Sequence, residues 1–157
     1  MPREIERKFL IDESLIGELK DGETIKQGYF PTLNKTVIRA RLKGNKGYIT
    51  IKGQKVGISR PEYEYEIPFK DAQEIIEKLC EKLVIEKTRY KIKHANHIWE
   101  IDVFEGDNKG LIVAEVEMKD ENEKVQLPNW TTNEVTDDFR YSNSNLVKYP
   151  YGFWEKK

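Results

Sequence analysis

Apolar and polar residues alternate with a period of two over most of this chain. The alternation predicts β-strands over about 3–11, 24–30, 36–43, 48–52, 62–69, 85–93, 98–104 and 111–119. Short polar stretches separate them: Gly44-Asn45-Lys46-Gly47 and His94-Ala95-Asn96-His97 read as hairpin loops, and Gly106–Gly110 as a turn. One stretch changes period. Ala72, Ile75, Ile76, Leu79, Cys80 and Leu83 recur at helical spacing, with Asp71 as a candidate N-cap and Glu74 three residues on. That predicts a helix over 71–83 with Cys80 buried on its apolar stripe. Shorter helices are expected over 13–19 and 142–148, and Asn133–Val135 is open between helix and strand. Tyr149, Tyr151, Phe153 and Trp154 in the tail (149–157) are expected to cap a barrel end or pack on a helix. The sum is an α+β, mainly β chain: an antiparallel sheet, curved or closed into a barrel, with a few helices outside it.

The side chains sort by parity, because alternate residues of a strand point to opposite faces. Glu4, Glu6 and Lys8 share one face, with Ile5 and Phe9 opposite. Arg39 and Arg41 share a face, as do Thr50 and Lys52, Glu62, Glu64 and Glu66, Lys87 and Arg89, Glu100 and Asp102, and Glu115 and Glu117. Nearly every opposite face is apolar. A solvated face would mix signs within each strand. Here the signs come in strand-length blocks, four strands acidic and three basic, which predicts an acidic wall and a basic wall facing each other across a polar lumen.

Composition narrows the picture. Of 157 residues, 35% are charged, yet Lys plus Arg number 27 against 28 Asp plus Glu, for a net charge of -1. So balanced a chain has no global attraction to nucleic acid or to an anionic membrane. The length fits one domain spanning 1–157. The single Cys80 rules out an internal disulfide framework. No apolar run reaches transmembrane length, and Met1-Pro2-Arg3-Glu4 lacks a signal-peptide core, so the cytoplasm is the expected compartment. His94 and His97 read as exposed turn residues, and Ser59 as a loop residue without a histidine partner, which leaves nucleophilic hydrolysis poorly supported.

The two walls carry their own chemistry. Arginine grips phosphate oxygens with two parallel hydrogen bonds and lysine supplies a point charge. Carboxylates hold Mg²⁺ or Mn²⁺, which prefer oxygen ligands. Together they suit a metal-bound polyphosphate, with hydrolysis by water and no covalent nucleophile.

The same residues resemble a known family. Glu4-Ile5-Glu6-Arg7-Lys8 is similar to the ExExK signature of the CYTH superfamily, the triphosphate tunnel metalloenzymes. The resemblance continues in order through Gln27-Gly28-Tyr29, Arg39-Ala40-Arg41-Leu42, Thr50-Ile51-Lys52, Glu62-Tyr63-Glu64, Glu86–Tyr90, Glu100–Phe104, Val113–Glu117 and Asp138-Phe139-Arg140-Tyr141. It implies a closed eight-stranded antiparallel barrel forming a tunnel for a linear triphosphate, with Mg²⁺ or Mn²⁺ bound. On matching positions, Glu4, Glu6, Glu62, Glu64, Asp102, Glu115 and Glu117 would serve the metals. Lys8, Arg39, Arg41, Lys52, Lys87, Arg89 and Arg140 would hold phosphates, and Tyr29 would either stand at a tunnel mouth or pack within the barrel. Glu4, Glu6, Lys8 and Lys87 would carry catalysis, Lys87 as general base if burial lowers its pKa.

Within that family the chain is most similar to short bacterial enzymes acting on inorganic tripolyphosphate. It lacks the His-Phe opening of the second strand associated with class IV adenylate cyclases, and it is shorter than thiamine triphosphatases. The expected protein is a monomer or homodimer that works on a small molecule, with no nucleic-acid or membrane partner. The alternatives are a nucleoside or other organic triphosphatase, a cyclase, and a polyphosphate-binding module without turnover.

Overall fold

A computed structural model describes residues 2–154. In chain order the elements are β1 (Arg3–Ile11), α1 (Glu13–Ile16), β2 (Glu23–Tyr29), β3 (Val37–Lys43), β4 (Lys46–Lys52), β5 (Ser59–Ile67), α2 (Phe69–Lys78), β6 (Ile85–His94), β7 (His97–Phe104), β8 (Ile112–Glu117), β9 (Thr131–Glu134) and α3 (Asn143–Leu146). The sheet runs β5-β4-β3-β2-β6-β7-β8-β1, and a further β1–β5 pairing closes it into an eight-stranded barrel. Closure is narrow. Arg3, Glu4 and Ile5 pair with Pro61, Arg60 and Ser59, while Glu6 to Leu10 pair with β8 on the other edge. The extended alternative holds for 131–134: β9 pairs with β1 at Phe9 and Ile11 as a ninth strand beside the barrel.

Three helices and loops cover the outward apolar faces. Phe9, Trp99, Ile101, Ala114, Val116 and Trp130 form one cluster outside β1, β7 and β8, with Ile16 and Leu19 against it. α1 is shorter than expected because Gly17 takes φ 79°, outside helical space. α2 lies over β2, β3 and β4. It runs over 69–78 rather than 71–83, and its N-cap is Pro68, not Asp71. Proline suits that point, since its missing N–H is one the first turn leaves unpaired anyway. The earlier stop leaves Leu79 and Leu83 exposed, and the buried stripe is Ala72 and Ile76. Cys80 is half-buried, and burial raises its thiol pKa, away from reactivity.

α2 approaches the sheet closely at Gly47. A Cβ on Gly47 would stand 2.7 Å from the Ala72 Cβ and 3.1 Å from the Ile67 carbonyl oxygen. Gly47→Ala therefore forces α2 off the sheet, at a cost of about 1–3 kcal/mol. Thermal denaturation should show a melting temperature lower by several degrees, and an unchanged melting temperature would refute this packing.

A second cluster fills one end of the barrel. Tyr29, Ile85, Phe104 and Val113 point inward there, and Leu146 and Val147 of the α3 segment pack onto them. Tyr29 is thus a packed barrel residue. Tyr141, Tyr149 and Tyr151 surround Trp154 at edge or tilted angles with ring centroids 5.1–6.4 Å apart, so the tail packs on the α3 end. Residues 155–157 of the expected tail lie outside the described residues.

Candidate active site

The strand order turns the parity pattern into geometry. The acidic strands β7, β8, β1 and β5 are contiguous around the barrel, and the basic ones β4, β3 and β6 follow on the other side with β2 between them. One half of the lumen is acidic and the other basic. They enclose a cavity of about 240 Å³ lined by Glu4, Glu6 and Lys8, by Arg39, Arg41, Lys52, Lys87 and Arg89, and by Glu62, Glu64, Glu115 and Glu117.

Opposite charges meet at the seams. On one side the Lys52 Nζ donates to Glu4 at 2.9 Å and lies 3.3 Å from Glu62, and Arg39 lies 3.2 Å from Glu64. Burial would raise the Glu4 pKa, but the Lys52 ammonium brings it down to about 2. On the other side Asp102 is fully buried, with Arg89 Nε at 2.8 Å on one oxygen and Lys87 Nζ at 2.8 Å on the other. Those two cations hold its carboxyl well below the usual range against the effect of burial.

Asp102 is absent from the lumen surface, and both of its oxygens are committed. The expectation that it ligates metal is therefore corrected: it fixes Lys87 and Arg89. Arg140 is also corrected. It stands outside the barrel, half exposed, chelated by Asp138 two residues before it at 2.6 Å and stacked on Trp154 at 5.3 Å. His97 pairs with Glu123 away from the lumen.

Not every lumen group is satisfied. Arg39 Nε is buried without a hydrogen-bond partner among the described residues. Arg41 forms no ion pair there. Its Nε donates to Gln27 Oε1 at 2.7 Å, and burial lowers its pKa to about 10. Unpaired guanidinium donors in an enclosed space fit an anion with several oxygens. Glu6 and Glu117 likewise join no ion pair. They are direct cross-strand partners, a like-charge arrangement that is unfavourable without a cation. Burial, Glu115 and Glu4 push the Glu6 pKa well above its ordinary value. Among the described residues no three acidic, His or Cys side chains already converge on one point as ligands. Glu4 and Glu115 are turned to Lys52 and Lys8 instead. An oxygen-rich wall with an opposed carboxylate pair nonetheless fits a hard divalent cation.

Several lumen residues escaped the sequence reading. Arg60 lines the cavity because β5 begins at Ser59, three residues earlier than expected, which puts Arg60 on the same face as Glu62 and Glu64. Asn143, at the start of α3, accepts from Lys87 at 2.8 Å and from Gln27 at 3.0 Å. Strand parity could have found Arg60 and Gln27. No sequence signal marks Asn143.

Comparison with known proteins agrees with this geometry. The CYTH domain family profile matches residues 2–150. The chain belongs to the CYTH family. A CYTH relative from Acetivibrio thermocellus described as an inorganic triphosphatase is 50% identical over 151 residues, covering 96% of this chain and 97% of its own. One of the same description from Nitrosomonas europaea is 37% identical over 148 residues, covering 92% and 96%. The crystal structure of an inorganic triphosphatase superimposes with a TM-score of 0.66 at 34% identity, over 94% of this chain and 95% of that one.

Proposed function

We propose that this CYTH protein is a metal-dependent triphosphatase that hydrolyses inorganic tripolyphosphate, water displacing the terminal phosphate inside the barrel. One observation carries the reading: a single enclosed lumen whose two halves bear opposite charge, with unpaired guanidinium donors on one and an opposed carboxylate pair on the other. A cation binder would need only the acidic half, and an anion binder only the basic half. The relatives described as inorganic triphosphatases support the substrate class.

In this reading Arg39, Arg41 and Arg89, with Lys8, Lys52 and Arg60, hold the phosphates. Glu4, Glu6, Glu115 and Glu117, with Glu62 behind them, would hold Mg²⁺ or Mn²⁺, and Glu64 would keep Arg39 in place. Bound there, such an ion would neutralise phosphoryl charge and acidify water. No helix among the described residues is long and apolar enough to cross a membrane, in keeping with a small-molecule enzyme acting in the cytoplasm.

Lys87 is the proposed general base. Burial and the nearby Arg89 and Arg41 outweigh Asp102 and lower its pKa to about 7. A neutral amine has two N–H groups, and Asp102 and Asn143 accept both, at 2.8 Å each. The lone pair then remains on the Nζ of a residue that lines the lumen. Since the active form is the deprotonated one, kcat/KM should rise as pH increases through about 7. Lys87→Arg should lose that rising limb, and a variant that keeps it would exclude Lys87 as the base. The reading as a whole is tested by phosphate release from tripolyphosphate, ATP, GTP, thiamine triphosphate and pyrophosphate, with Mg²⁺ and Mn²⁺ separately. No release from any triphosphate would overturn it.

A further inference from the structure

Gln27 is fully buried on β2, between β3 and β6, at a place where packing alone does not call for an amide. Its ladder partner on β6 is Ile85, and the residue two before it on β2 is Ile25, both buried and apolar. The amide is nonetheless used at both of its ends. Gln27 Oε1 accepts from Arg41 Nε at 2.7 Å, and Nε2 donates to Tyr29 Oη at 2.8 Å and to Asn143 Oδ1 at 3.0 Å. The same Asn143 oxygen accepts from Lys87 Nζ at 2.8 Å. A chain of hydrogen bonds therefore runs from the Arg41 guanidinium on β3, through β2 and α3, to the Lys87 amine on β6.

The polarity of this chain is dictated from one end. A guanidinium only donates, so Gln27 must turn its oxygen to Arg41. Its N–H groups are then left for Tyr29 and Asn143, and Asn143 must present its oxygen to them. That oxygen is the one Lys87 meets. Arg41, held at Nε, has its terminal Nη groups left for a pair of phosphate oxygens. Asn143 is kept within reach by packing: Leu146, one turn further along α3, is fully buried in the cluster that also contains Tyr29 and Ile85.

We propose that Gln27 is a positioning residue for the hydrolysis: one buried amide sets the Arg41 guanidinium for phosphate and, through Asn143, the Lys87 amine for water. The assignment rests on the triphosphatase reading of the lumen and adds to it a residue that acts only through others. Grip and base are then aligned by a common part, so a change at Gln27 reaches both, whereas a change at Asn143 reaches the base alone.

The test is steady-state hydrolysis of tripolyphosphate by the Mg²⁺-loaded protein, with kcat and KM read separately. Gln27→Met keeps the length of the side chain and loses both links, so kcat should fall and KM should rise, each roughly tenfold, the scale of a hydrogen bond to a charged group. Asn143→Leu cuts only the branch to Lys87 and should lower kcat by a similar factor with KM unchanged. In the double variant kcat should be no lower than in the single variants, because both lie on one path, while KM stays as in Gln27→Met. An amide with a merely structural role would lower the melting temperature without this split between the two constants. Should Gln27→Met fail to fold, Gln27→Glu takes its place: the carboxylate still accepts from Arg41 but has no N–H for Asn143, so kcat should fall as in Asn143→Leu. An unchanged kcat in Asn143→Leu, or losses in kcat that multiply in the double variant, overturns the assignment. Wild-type protein that releases no phosphate from tripolyphosphate overturns the triphosphatase reading, and this assignment with it.

Discussion

Metal-free protein carrying Glu6→Gln is expected to melt higher than the wild type and to release almost no phosphate from tripolyphosphate. Both effects come from the same placement. Glu6 faces Glu117 directly across the β1–β8 ladder, with Glu115 and Glu4 close enough to oppose its charge. Opposed like charges destabilise a sheet, and enclosure strengthens the repulsion. The raised pKa gives the sign of the pH dependence. The folded state holds the Glu6 proton more tightly than the unfolded chain, so the Glu6 contribution to stability falls as pH rises above the ordinary carboxylate value of 4.5. Glutamine keeps the shape and removes that component. In chelator-treated protein near neutral pH the melting temperature should rise by about 2–5 °C, from roughly 1 kcal/mol. Activity should drop at least about a hundredfold, the scale of losing one preorganised charge at a reacting phosphoryl group. A variant that is less stable in the absence of metal, or as active as wild type, would remove Glu6 from the proposed metal wall.

Such a conflict between stability and chemistry also explains why so much of the site was legible. In an ordinary barrel the interior is apolar and the period-two signal points outward for polar residues. Here Glu4, Arg39, Lys52, Lys87 and Glu115 face inward, and the prevalence of one sign on most strands marked the face as something other than solvated surface. Strand order then made the two walls contiguous, which parity within single strands could not establish. The readings that failed depended on local boundaries or on side-chain choice. Asp71 looked like a cap, but Pro68 starts α2, and a proline before the helical stripe was the better signal. Arg140 shared a motif with the site, yet Asp138, two residues earlier, both caps its turn and captures its guanidinium. Asp102 and Glu100 share a face and looked equivalent. Only the ladder shows that Asp102 lies directly opposite Arg89. Asn143 reaches Lys87 across 56 residues of sequence, from a helix of four residues with no periodicity to read.

Asp102→Ala should produce the largest loss of stability of any single change in the lumen. Lys87 and Arg89 are 2% and 8% exposed, and Asp102 neutralises both. Its removal strands the buried Arg89 guanidinium and takes away the group that holds the Lys87 pKa up, and breaking a buried pair in this way costs about 3–5 kcal/mol. For a domain of this size that is roughly 10 °C in melting temperature. The loss should appear equally with and without metal, because it arises from protein cations. A metal ligand removed from the same place would instead weaken the stabilisation gained on adding Mg²⁺ and leave the metal-free protein nearly unchanged. Adding Arg89→Met to Asp102→Ala should recover part of the stability by removing the stranded charge, and Asp102→Asn should fall between wild type and alanine. Should the single variant melt like wild type without metal, Asp102 would not be the anchor of Lys87, and the lone-pair geometry proposed for the base would lose its support.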